Sequence, residues 1–326
     1  MMTDTWTWAT VTQATPLRIK VDGDTTALDA TTDDLVGSLA VDDRVRVHLH
    51  ADGIIVTGVQ GGGNRSNPNL LINSDFMVNQ EGNTSGASVA AYAYFLDGWK
   101  NPNGFSTSLY TWADVGGVRT LTIGGPDTPR AARQIIEQQN MPAGTYTLSW
   151  EGTATAKFYI GSPPAYSTSP VTVTLDGSAD VTLDVRGEGD TVSDIKLERG
   201  PVATPYQPPL YGDNLRKCQR YFVRLNTPSR LDVVGWGHQK NTTTVQVISA
   251  VPVPMRATPT LTTTGTLAWS DRDTFNSDVS AFGTPTLVGT ILQFDATIPS
   301  SGAAYRPGNL LNNSYSFAAM SLNARL

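Results

Sequence analysis

Three sets of side chains in this sequence are spaced closely enough to be weighed as chemistry. His48 and His50 lie two apart in the segment Arg44-Val-Arg-Val-His-Leu-His50. A strand there puts both imidazoles on one face, where neutral nitrogens could begin a metal site. Further ligands would have to come from a distant segment, and a solvated strand face is the plainer reading. Asp271-Arg-Asp273 offers the paired carboxylates that a glycosidase needs, but a single acidic turn supplies both. Cys218 has no neighbouring histidine to activate it, and helical spacing sets it on an apolar face with Leu215, Tyr221 and Phe222. Neither a Gly-x-Ser-x-Gly elbow nor a phosphate loop occurs. The expectation is a binding or structural protein, not an enzyme.

Aromatic residues near turns give binding better support. Sugars present apolar C–H faces and hydroxyl edges, so their sites combine exposed rings with a few polar groups. Trp236 lies in Gly235-Trp-Gly-His-Gln239, where flanking glycines deny it packing neighbours. Trp269 lies in Ala268-Trp-Ser-Asp-Arg-Asp273, and Tyr305-Arg306 precedes Pro307-Gly308. These positions are the first candidates for binding contact, because loops carry binding and aromatic or Arg side chains dominate contact energy. Tyr92 and Tyr94 form a second candidate group in loop-rich sequence. Trp99 and Trp112 are the other sandwich aromatics near loop-rich sequence, and Trp99, after Asp97-Gly98, reads as a packed core residue rather than a ligand platform.

The elements that must position these residues read as all-β. Residues 1–60 hold about five short strands, at 6–12, 17–21, 44–50 and 54–59 among others, with turns at Asp22-Gly23 and Asp52-Gly53. So few strands bury a core only when closed into a small barrel of the OB or SH3-like class. A turn or short helix is expected at 36–41. The stretch 61–68, Gly-Gly-Gly-Asn-Arg-Ser-Asn-Pro, reads as a linker. Residues 69–209 read as a jelly-roll-like β-sandwich, with strands near 106–112, 118–123, 132–138, 144–151, 156–160, 171–175, 180–185 and 192–197. Tyr146, Leu148 and Trp150 alternate toward its core. Prolines 201, 205, 208 and 209 then take the chain out of the sheet, and a connecting helix follows over 210–224 with Asp213 as N-cap. Residues 225–326 read as a second β-domain, with strands near 232–236, 243–251, 260–267, 286–288, 291–296 and 315–323.

Composition narrows the function classes. A chain of 326 residues is long enough for two or three domains. Charged residues make up only 16% and the net charge is −6, which argues against a nucleic-acid footprint. No apolar run approaches the roughly 18 residues of a membrane span, and the first residues do not read as a signal peptide. One cysteine excludes an internal disulfide framework.

Three segments carry a family resemblance. The first is Asn69-Leu-Leu-Ile-Asn-Ser-Asp-Phe-Met-Val-Asn-Gln80 with Asp97-Gly-Trp99. The second runs from Ile195-Lys-Leu-Glu-Arg-Gly-Pro201 through Tyr211-Gly-Asp-Asn-Leu-Arg-Lys-Cys-Gln-Arg-Tyr-Phe222. The third is the N-terminal barrel pattern from Ala9 to Gly58. In this order they resemble bacteriophage tail-fibre and minor tail proteins over roughly two-thirds of the chain. The resemblance implies a virion protein made in the host cytoplasm, with a barrel that attaches to other tail proteins. It further implies a carbohydrate-binding-like sandwich and a distal domain facing a glycan or protein on the host surface. Such proteins are usually homotrimers, and no nucleic-acid or membrane partner is implied. Similar sandwiches often hold a structural Ca²⁺, for which Asp75 and Asp97 are the candidates here; no other cofactor is implied. The rival readings are a virion-borne glycan depolymerase and a bacterial carbohydrate-binding adhesin.

Overall fold

The computed structural model describes residues 5–32, 39, 44–51, 53–59, 66–102, 107–124, 130–227, 229, 231–271, 276–299, 304–312 and 318–326. Most of the turn expected at 36–41, the three glycines of the linker, Asp52, Ser106, Asp273 and Tyr315 lie outside them. Among the described residues the fold is all-β, with one α-helix, Tyr211–Gln219. The chain divides into two compact units: Met1–Pro68 with Val202–Gln207, and Asn69–Pro201 with Pro208–Leu326. The expected sandwich and distal domain therefore belong to one unit, although each has its own core.

In the first unit the strand Thr5–Ala14 pairs with Leu17–Val21 on one side and Arg44–His50 on the other. Arg44–His50 continues to Gly53–Val59. The remaining edges are joined by one short segment. Leu28–Asp29 pairs antiparallel with Leu17–Val21, and Thr31–Thr32 pairs parallel with Gly53–Val59. Only Ala30 separates the two, so the sheet closes on itself. This order, with its single parallel pairing, is that of an OB-fold barrel. Val11, Ile19, Val45, Val47 and Val56 fill it, each at an inward position of an alternating strand.

In the second unit two antiparallel sheets face each other. One runs Val171–Leu175, Gly144–Glu151, Asp190–Arg199, Val118–Ile123, Ser108–Val115, Ser88–Val89. The other runs Thr155–Tyr159, Val181–Gly187, Arg130–Ile136, Trp99–Lys100, Tyr94–Leu96. Between them lie Trp99, Tyr110, Tyr146, Leu148, Phe158 and Leu197. Outward positions of Asp190–Arg199 hold Lys196 and Glu198, which are nonetheless buried and paired at 3.3 Å.

The C-terminal region of this unit also has two sheets. Phe222–Arg224, Ala319–Asn323 and Thr260–Thr264 make the smaller one. The larger is built around Val233–Gln239, Thr244–Ala250, Ile291–Thr297, Pro307–Asn312 and Leu267–Ser270. The stretch expected as one strand at 260–267 thus divides at Gly265 between two sheets. Pro307–Asn312 is a strand that its Pro-Gly opening conceals in the sequence; Pro307 is its first residue, where a missing N–H costs least.

A buried polar network joins the sandwich to the helix. Asn73 donates through Nδ2 to the carbonyls of Val78 and Asp97, and its own carbonyl accepts from Trp99 Nε1 at 2.9 Å. The backbone N–H of Asn73 donates to Asn214 Oδ1 at 2.8 Å, and Asn214 Nδ2 donates to Asp75 at 2.7 Å. The two sequence segments singled out above therefore meet. The helix buries Asn214 and Cys218, not the apolar Leu215 expected on that face. Asp213 also departs from expectation: Leu210 is the N-cap and Asp213 sits in the first turn, where its charge still suits the helix dipole. Instead of leaving the sandwich, the chain folds back against it.

Candidate functional site

A groove of about 520 Å³ opens within the second unit, on the flank of the smaller C-terminal sheet. Its size is that of an ordinary ligand site. One wall is the loop and strand that carry Glu81, Asn83, Tyr92 and Tyr94. The other is the outward face of the three-stranded sheet. There Thr262 lies opposite Ser321 and Thr260 opposite Asn323. Leu322 and Met320, at the alternate positions, point into the core. Alternation thus lines this wall with hydroxyls and an amide: Thr262, Thr264, Ser321 and Asn323.

Tyr92 is well exposed and holds φ at +59°, a left-handed conformation rarely kept by a bulky residue. Tyr94 is half-buried. Its hydroxyl donates to the Leu326 carbonyl at 2.7 Å, which also accepts from Lys100 Nζ at 2.7 Å. Burial pushes the Tyr94 phenol up and the Lys100 amine down from their ordinary values. Arg325 stacks 4.2 Å from the Tyr94 ring centre and 4.0 Å from that of Phe222. Its Nη1 donates to Glu81 Oε1 at 3.0 Å. Arg224 donates to the backbone carbonyls of Gln80, Glu81 and Asn226. The groove therefore combines an exposed ring, hydroxyls, an amide, a carboxylate and two guanidiniums.

The residues expected to meet a receptor separate into two places. Tyr92 and Tyr94 share the groove. Trp236 and Tyr305 are exposed in the C-terminal region, at 58% and 80%. The glycines beside Trp236 serve backbone approach: a side chain on Gly235 or Gly237 would run into the carbonyls of Ile248 or Gln246. Arg306 donates to Asp271 at 3.0 Å. Trp269 is a correction. It is wholly buried in the C-terminal core, its ring lying against Gly308, where a Cβ would come within 2.7 Å. The charged neighbours that suggested exposure follow the strand Leu267–Ser270 in sequence, while Trp269 itself lies within it and is buried.

The other sequence candidates have structural work. Asp97 is buried, and its two oxygens accept from the N–H and side chain of Gln80. Burial raises its pKa, and Asp75 is raised by burial likewise. Asp75 serves Asn214 and the Met77 N–H. Among the described residues no three His, Cys, Asp or Glu side chains gather as a metal site. Burial drives the Cys218 thiol far up, away from nucleophilic character. His48 stacks on Trp6 with ring centres 4.2 Å apart and the planes parallel within 1°.

Sequence reasoning missed several groove residues, Arg325, Arg224 and Glu81 among them. Their signal was faint, because the groove joins segments more than two hundred residues apart. Trp6 and Trp8, half-exposed on the barrel's outer face beside Arg46, His48 and His50, also went unremarked as a surface. Their two-residue spacing opposite Arg46 and His48 was there to be read.

No family model and no curated protein matches the chain. Among solved structures, it aligns with a cycloisomaltooligosaccharide glucanotransferase from Paenibacillus sp. in complex with cycloisomaltoheptaose. The identity is 12%, the TM-score 0.18, and the alignment covers 75% of this chain and 46% of that one. The chain thus spans less than half of that structure, and so low a score carries no argument about fold or activity.

Proposed function

We propose that this protein is a structural component of a phage tail that attaches to the host surface by binding a surface saccharide, with adhesion and not turnover as its role. The groove beside Tyr92 carries the reading. An exposed ring supplies a stacking face for a pyranose, and Thr262, Thr264, Ser321 and Asn323 supply hydroxyl and amide partners for its edge. The order of barrel, linker, sandwich and helix along the chain supports placement in a tail. In an oligomer, single sites would not need to be strong, since copies fixed to one another add avidity.

The test is competition for adsorption. Purified protein should block phage adsorption to host cells, and Tyr92→Ala should weaken single-site binding by about 1–3 kcal/mol. Trp236→Ala and Tyr305→Ala report on the alternative surface. If the Tyr92 variant stays folded and blocks adsorption as well as the parent while either of the others fails, the contact lies around Trp236 or Tyr305 instead.

A further inference from the structure

Arg325 is the least satisfied charged group in the groove. Its side chain is only 6% exposed. The rings of Tyr94 and Phe222 lie beside its guanidinium, and Glu81 accepts from Nη1 alone. Nε and Nη2 are buried without a hydrogen-bond partner. Those two nitrogens form one edge of the guanidinium fork, the edge that matches the paired oxygens of a carboxylate or phosphate. Leaving such donors unmet is costly, and more so on a charged group. Arg224, the second guanidinium of the groove, donates to backbone carbonyls and has no carboxylate partner among the described residues. Among the described residues that line the groove, Glu81 is the carboxylate set against two guanidiniums, in a chain whose net charge is −6.

We infer that the groove takes an anionic saccharide, whose carboxylate or phosphate pairs with the Nε–Nη2 edge of Arg325. The inference rests on the glycan reading of the groove and narrows its ligand class. Glu81, whose side chain is 32% exposed, holds the Nη1 end of the guanidinium, and its charge opposes an oxyanion arriving at the adjoining edge. Tyr92 and the hydroxyls of Thr262 and Ser321 then meet the sugar ring. Charge-assisted, two-point pairing of this kind fixes orientation as well as affinity.

Titration calorimetry on the full chain with three oligomers of similar length tests this. Hexagalacturonate carries carboxylates, a mannohexaose phosphorylated at its 6-hydroxyls carries phosphates, and maltohexaose is neutral. At least one anionic oligomer should bind about tenfold or more tighter than maltohexaose, and added salt should weaken it. Which of the two binds identifies the oxyanion. Arg325→Lys keeps the charge but removes the fork and should lower affinity about tenfold. Glu81→Gln removes a competing acid at an exposed position and should raise affinity several-fold, which keeps the test open if the Arg325 variant melts early. Binding of maltohexaose as tight as either anion, lost in Tyr92→Ala, would leave the glycan reading standing and overturn this one. Anion binding indifferent to Arg325, Glu81 and Tyr92 variants would overturn both, as would the absence of binding by all three oligomers.

Discussion

At the scale of single residues, the junction between sandwich and helix depends on a few side chains with no substitute. Gly98 holds φ at +79°, and a Cβ there would come within 2.8 Å of Ile72. Gly98→Ala combines left-handed strain with overpacking and should cost about 2–4 kcal/mol, read from denaturant unfolding. Asn214→Ala strands the Asn73 N–H and removes a donor from Asp75. It should cost about 1–3 kcal/mol, more than Leu215→Ala, whose side chain is only partly covered. The sequence made Trp99 legible as core because it follows a turn glycine and is too large to leave exposed. Asn214 was not legible: a polar residue on a helix face reads as solvent-facing until the partner strand is known. Trp269 misled for the opposite reason, since its charged neighbours lie beyond the end of its own strand.

At the scale of elements, alternation and turn residues made most strands readable. Leu17–Val21, Val118–Ile123, Gly144–Glu151 and Val171–Leu175 fall where the pattern sets them. Segments without alternation escaped, as at Leu28–Thr32, where all strand positions are exposed. Two pairings between elements can be tested. Glu198→Gln leaves Lys196 buried without its charge partner and should cost about 3–5 kcal/mol, whereas replacing both by Leu and Met should cost far less. Glu137, just before the turn Gln138–Asn140, holds Arg220 at the helix end with a contact of 3.0 Å. Burial pushes its pKa up, but the Arg220 and Tyr221 hydrogen bonds outweigh this and hold it below the usual glutamate value. A depressed acid contributes stability that is present above its unfolded pKa, near 4.3, and lost as pH falls through the folded one. Stability should therefore decline through that acid window, and Glu137→Gln should flatten the decline in a pH series of melting curves.

At the scale of the molecule, the proposed role divides labour between the units. Deleting residues 1–60 should prevent incorporation into tails while the purified remainder still binds cells, since the remainder keeps both of its cores. A truncated protein found in assembled particles would remove the barrel's anchoring role. Sedimentation should give a trimer, the state the tail-protein resemblance implies; a stable monomer at micromolar concentration would count against it. The barrel's closure has a mechanical side. Its last line is sealed by Leu28–Asp29 against Arg18 and Ile19 and by Thr31–Thr32 against Ile55 and Val56, two residue pairs on each side. The neighbouring line between Thr5–Ala14 and Arg44–His50 is sealed by six. Tension on a barrel built this way unzips the short line first, while the long one still holds the core closed. Amide exchange should find the same order at rest, with the residues of that short line the first to trade their protons for solvent.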